Sequence, residues 1–147
     1  MKTKLMMILT TIALSACATA APALNKNFED LVPKGKVIQT KHDEKKVQTT
    51  TGSVVELEYT NAGDLKEASG DFLSKGDEFV PGAGLLNLKA AADAVTSSGK
   101  KLTEDWSFEK SFIHGWTYEF EGFENGKKMN YLVDAKSGKI IKEEIDN

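Results

Sequence analysis

The chain has 147 residues, of which 40% are hydrophobic and 28% are charged. This size allows one globular domain or two small ones and excludes a large multidomain enzyme. The formal net charge is −3, from 19 basic and 22 acidic residues, and every basic residue is a lysine. The planar guanidinium that grips phosphates and guanine edges is therefore missing, which argues against a nucleic-acid partner.

The N-terminal segment has the layout of an export signal. Lys2 and Lys4 precede an apolar run that extends from Leu5 to Ala16, and such a run after a basic start is typical of a signal peptide. The run is too short to span a bilayer. We therefore predict that residues 1–16 are a signal peptide.

The only cysteine, Cys17, follows this run directly. The sequence Leu14-Ser15-Ala16-Cys17 resembles the lipobox of bacterial lipoproteins, in which the cysteine is acylated after cleavage. We predict lipidation of Cys17, a lipidated tether over 17–24, and a lipid-anchored protein on the periplasmic side of the bacterial cell envelope. Ordinary secretory cleavage also fits these small residues, and it would leave a soluble secreted or periplasmic protein.

The rest of the chain carries one pattern twice. A helical candidate capped by Asn25, and a second one over about 86–98 that ends before Gly99, each precede a series of short strand candidates. The predicted strands are 36–41, 45–51, 53–60 and 64–68 in the first half, and 102–109, 115–123, 127–134 and 139–145 in the second. We expect an α+β fold of two helix-plus-antiparallel-meander units, 25–69 and 85–147, with a connector over 70–84 and the helices on one face of the sheet.

The clearest local signal lies between Trp116 and Glu121. Aromatic and polar residues alternate there, so one face of the strand is predicted to be buried and the other wet. Asn125-Gly126 then supplies the pair that a tight hairpin turn requires, because both central residues need positive φ. The helix over 86–98 is expected to cover the aromatic face.

The stretch from about Leu85 to Asp146 resembles a PepSY domain. The resemblance rests on a helix, on Tyr118-x-Phe120, on the Asn125-Gly126 turn and on the run from Tyr131 to Ile140. That run is similar to the family's Val-Asp-Ala-x-Thr-Gly-x-Val motif, with Ser137 in place of Thr and Ile140 in place of Val. Asp134 can accept bonds from backbone N–H groups of the turn, and Gly138 is expected in the left-handed conformation. A second, more divergent PepSY-like unit is expected in the first half.

PepSY domains occur in the propeptides of secreted metallopeptidases and in bacterial envelope proteins, where they are associated with peptidase inhibition or regulation. They carry no catalytic residues of their own. The resemblance therefore implies a non-enzymatic envelope module whose partner is a protein, such as a peptidase or another envelope component. Two alternatives stay open: a structural envelope lipoprotein, and a small hydrolase that uses paired carboxylates.

Residues with the potential for chemistry or contact are few. His42 and His114 lie in different halves without a second histidine nearby, so we predict no metal site, and we predict no cofactor and no catalytic residue. Phe112 and Ile113 form an apolar pair that fits either a core or an exposed protein contact. Glu119 and Glu121 fit either a solvated sheet face or a surface that docks a basic partner. The predicted structural turn residues are Asn125, Gly126, Asp134 and Gly138.

Overall fold

The computed structural model describes residues 23–75 and 77–147. The predicted signal peptide 1–16, Cys17 and most of the predicted tether lie outside the described residues. The helices are α1 (Phe28–Leu31) and α2 (Leu88–Ser97), with a 3₁₀ turn at Leu73–Lys75. The strands are β1 (Lys36–Lys41), β2 (Glu44–Gln48), β3 (Val54–Tyr59), β4 (Leu65–Gly70), β5 (Lys101–Ser111), β6 (Gly115–Glu124), β7 (Lys127–Asp134) and β8 (Ile140–Ile145).

All eight strands form a single antiparallel sheet in the order of the sequence. The two halves of the chain join where β4 pairs with β5, from Glu67 opposite Glu109 to Gly70 opposite Trp106. The α+β class is thus confirmed. A division into two helix-plus-meander units is not confirmed, because backbone hydrogen bonds continue across the junction and make one sheet.

The helix starts differ in how well the sequence predicts them. Asn87 caps α2, and its side chain accepts a hydrogen bond of 2.8 Å from the backbone N–H of Ala90. The prediction that Asn25 caps the first helix is wrong, because α1 starts after Asn27. The Asn25 side-chain amide instead donates to the carbonyl oxygen of Val80 at 2.9 Å. This bond ties the start of the described chain to the segment that precedes α2.

The core lies between the helices and one face of the sheet. Four residues at helical spacing on α2 are buried, Leu88, Ala91, Ala92 and Val95, and they form one cluster with the buried residues of α1 and of the strands. Fully burying a leucine or valine side chain such as Leu88 or Val95 contributes roughly 1.5–3 kcal/mol. The aromatic face of β6 is therefore covered, with Tyr118 and Phe120 completely buried and Trp116 half-buried.

Residues 70–84 join the two halves and also contribute to the core. Phe79 is almost completely buried, and its ring lies 5.0 Å from that of Phe108 and 5.5 Å from that of Trp106. The indole N–H of Trp106 donates to the buried Asp77 carboxylate at 2.7 Å. Sequence reasoning missed Phe79, because its Gly- and Pro-rich surroundings predict only a linker.

Candidate binding surfaces

The outer face of the sheet carries a row of carboxylates that crosses several strands. Glu44 of β2 lies opposite Glu58 of β3, Glu58 opposite Glu67 of β4, and Glu67 opposite Glu109 of β5. The row continues through Thr117 of β6 to Asp134 of β7. Like charges directly opposite each other in a sheet are destabilising, so this arrangement opposes folding rather than supports it.

Within the described part of the chain, lysines form ion pairs with carboxylates at one end of this row but not with those in its middle. Lys46 lies 4.0 Å from the Glu44 carboxylate, and Lys66 pairs with Glu58. Among residues 23–75 and 77–147, no lysine forms an ion pair with Glu67, Glu109 or Glu119. We call these three residues the acidic face.

The acidic face is electrostatically strained. Burial raises the pKa of Glu67, and the nearby carboxylates of Glu109 and Glu58 raise it further. Burial also raises the pKa of Glu119, together with Glu109, Glu144 and other neighbouring acids. Partial burial of unpaired carboxylates costs free energy, so a cation placed here would remove part of that cost.

The predicted contact residues Glu119 and Glu121 lie on this outer side of β6. Both are half-buried, and they line a shallow depression of about 160 Å³ together with Ser69, Asp71, Asp105 and Ser107. Glu121 differs from Glu119 because Lys128 lies 3.1 Å from its carboxylate. Glu119 is thus the unneutralised member of the pair.

The other predicted contact residues, Phe112 and Ile113, lie in the β5–β6 turn. Phe112 is 105% exposed and Ile113 is 81% exposed, so neither belongs to the core. His114 completes the turn and is also exposed. We call residues 112–114 the hairpin tip. This tip lies at the end of the strands, whereas Glu119 lies on the outer face, so the four predicted contact residues belong to two separate surfaces.

A groove of about 970 Å³ lies at the same end of the sheet, between α1 and the β1–β2 and β3–β4 turns. The Lys45 ammonium lies over the rings of Phe28 and Tyr59, at 5.8 and 5.4 Å from their centroids. Burial raises the pKa of the Tyr59 hydroxyl, and Glu29 adds to the effect. Three lysines and three acids line the groove, so it has no charge preference comparable with that of the acidic face.

The predicted structural turns have well-defined geometry. Asn125 and Gly126 have φ angles of 51° and 75° between β6 and β7. In the β7–β8 turn, the Asp134 carboxylate accepts hydrogen bonds from the backbone N–H and the hydroxyl of Ser137, and these bonds lower the pKa of Asp134. Gly138 has φ of 75°, and a Cβ at this position would lie 2.7 Å from the Cβ of Ala94 on α2. The turn motif therefore also provides space for the helix.

The described residues contain few features that would indicate catalysis or metal binding. No group of three or more His, Cys, Asp or Glu side chains in residues 23–75 and 77–147 is arranged to hold a metal ion. In the same part of the chain, no helix is both long enough and apolar enough to cross a membrane.

The comparison with protein families finds one match. Residues 88–144 match the PepSY family, described as peptidase propeptide and YPEB domain. The match begins at the first residue of α2 and includes β5 to β7 and most of β8, so the predicted resemblance is confirmed for the C-terminal part. It covers fewer than half of the 147 residues. No curated protein and no solved structure matches the chain.

Proposed function

We propose that this protein is a non-enzymatic binding module of the bacterial cell envelope that binds or regulates a protein partner, such as a secreted or envelope peptidase. The acidic face is the observation that carries this proposal. It presents carboxylates that repel each other and form no ion pair with a lysine among the described residues. The PepSY match supports the choice of a peptidase as partner, since the family is described by peptidase propeptides.

A basic segment of the partner suits the acidic face. Burial raises the pKa of Glu67 and Glu119, and repulsion from neighbouring acids, Glu109 among them, raises it further. Lysine or arginine side chains would relieve this repulsion. Charge complementarity of this kind accelerates encounter and excludes acidic competitors. The paired strands fix the backbone of these residues, so binding does not have to order a loop.

The proposed localisation and the proposed relationship between the two halves of the chain are inferred from the sequence. A signal peptide over 1–16 and an acylated Cys17 would hold the module at the membrane by lipid. We also propose that the two halves are related PepSY-like units. Support for this comes from their equal order, in which one helix precedes four antiparallel strands in each half.

The proposal is tested with the purified mature protein as bait in an extract of the cell envelope. A captured peptidase is then assayed with and without the module. The double variant Glu109→Gln/Glu119→Gln should bind it roughly tenfold more weakly, because two charge-assisted contacts are lost. The matched control Glu29→Gln/Asp30→Asn changes two exposed acids on α1 and should bind like the wild type.

Three results would contradict the proposal. Equal binding of both variants would exclude the acidic face as the contact. A single persistent scaffold partner without any peptidase would favour the structural lipoprotein. Substrate turnover by the module itself, abolished by one Glu substitution, would favour the hydrolase.

A further inference from the structure

The β5–β6 hairpin stays paired beyond its last strand pairs with β4 and with β7. Pairing within the hairpin continues to Ser111 opposite Gly115. On one side the β4–β5 pairing ends at Glu109, and on the other side the β6–β7 strand pairing ends at Thr117. The hairpin tip therefore has no strand pair with β4 or β7 on either side.

The hairpin tip is apolar and has basic residues around it. Phe112 and Ile113 expose almost their whole side chains, which is unusual for two adjacent large apolar residues. Lys110 precedes the tip, and Lys136 and Lys139 lie in the neighbouring β7–β8 turn, where the Ala135 N–H bonds to the Trp116 carbonyl. All three lysines are exposed.

The charges near the tip are available to a ligand. Within residues 23–75 and 77–147, Lys110, Lys136 and Lys139 form no ion pair. Of the nearby acids, Asp134 accepts hydrogen bonds from Ser137, and Glu109 lies on the outer face of the sheet. An apolar tip flanked by exposed lysines that form no ion pair matches a surface of anionic lipid headgroups above hydrocarbon.

The described chain begins at this same end of the molecule. Leu24 forms an isolated bridge with Gly82, and a mainly apolar groove brings the start of the chain close to the base of the hairpin. Its lining includes Ala23, Leu24, Leu65, Ala83, Leu85 and Trp116. Cys17, the predicted lipidation site, lies only six residues before Ala23 in the sequence. An anchor there would hold this end towards the bilayer.

We propose that the hairpin tip docks on a lipid bilayer that carries anionic headgroups. Phe112 and Ile113 enter the headgroup region, and Lys110, Lys136 and Lys139 contact the phosphates. In this orientation the strands run away from the membrane, and the acidic face is not turned towards the lipid. Anionic lipids therefore do not compete with a basic partner for this face. This inference rests on the localisation to the cell envelope that is part of the proposed function. It does not depend on whether the protein partner is a peptidase.

The test measures the depth of the tip in vesicles. The purified mature protein carries an environment-sensitive fluorophore at His114→Cys, or at Lys127→Cys at the start of β7 as the matched control position. It is reconstituted into vesicles of phosphatidylglycerol and phosphatidylethanolamine, or of phosphatidylcholine alone, with nitroxide-labelled lipid as quencher. The intact mass of the protein shows whether Cys17 carries acyl chains, and this measurement tests the lipid anchor separately from the docking of the tip.

We expect quenching at position 114 to exceed that at position 127 by about threefold or more, and to be stronger with phosphatidylglycerol. Phe112→Ser/Ile113→Ser should abolish most of this difference, whereas Phe123→Ser, which removes a half-exposed aromatic from the opposite end of β6, should preserve it. Equal quenching at 114 and 127 would overturn the inference, whether or not the protein sediments with vesicles. Burial of the 114 probe only after addition of the captured peptidase would also overturn it and would assign the tip to protein binding.

Discussion

Tyr118 offers a quantitative test of how the sheet and the second helix are joined. Its side chain is completely buried, with ring centroids 5.0 Å from that of Phe108 and 5.7 Å from that of Phe120. Its hydroxyl donates to the carbonyl oxygen of Leu86 at 2.7 Å, just before α2. The residue therefore contributes both apolar packing and one hydrogen bond between elements, and two substitutions separate these contributions.

Tyr118→Phe removes only the hydroxyl, and we expect a loss of about 1 kcal/mol in the free energy of unfolding, the usual net value of such a bond. Tyr118→Ala removes the ring as well and should cost about 3–5 kcal/mol, as large-to-small aromatic substitutions in cores do. Phe123→Ala is the matched control on the same strand. Phe123 is 54% exposed, and its loss should stay within about 0.5 kcal/mol.

Urea denaturation followed by fluorescence gives these free energies, provided that the slope of the transition stays constant among the variants. Two results would refute the reasoning. A larger loss for Phe123→Ala than for Tyr118→Ala would mean that the two faces of β6 are reversed. A Tyr118→Phe variant as stable as the wild type would mean that the hydroxyl contributes no net stabilisation through its bond to Leu86.

Two further predictions concern the turn motif and the acidic face. Gly138→Ala should destabilise the protein by clearly more than Gly126→Ala in the same urea assay. Both glycines have φ of 75°, which costs a non-glycine residue about 1–2 kcal/mol. A Cβ at 138 also meets Ala94 and Leu86, whereas one at 126 meets nothing within 4 Å. Equal losses would contradict the contact with α2. Glu109→Gln should stabilise the protein by about 0.2–1 kcal/mol at neutral pH, because it removes a charge opposite Glu67. Burial and the neighbouring carboxylates raise the pKa of Glu67 in the folded state, so the repulsion is present above that raised pKa and disappears as the pH falls through it. Thermal melts should therefore show the gain at pH 7 and lose it as the pH falls from the raised pKa to the ordinary pKa of glutamate. A gain independent of pH would exclude relief of charge as its cause.

The sequence alone determined the elements that depend on neighbouring residues. The alternation from Trp116 to Glu121 predicts the burial of Tyr118 and Phe120, because successive side chains of a strand point to opposite faces. Thr117 on the face predicted to be wet is nevertheless buried. Asn125-Gly126 predicts a tight turn, because these two residues tolerate positive φ. The strand positions follow equally from local patterns, and the eight predicted ranges lie close to the observed β1–β8.

Only the tertiary structure decided which distant residues meet. Glu67 and Glu109 are adjacent because β4 pairs with β5, and no local pattern in either strand specifies that pairing. Phe79 is buried, and Phe112 and Ile113 are exposed, although hydrophobicity alone does not separate these cases. The physical reason is that burial and charge repulsion depend on what the folded chain brings near a residue, whereas periodicity and φ preference depend on the residue and its immediate neighbours.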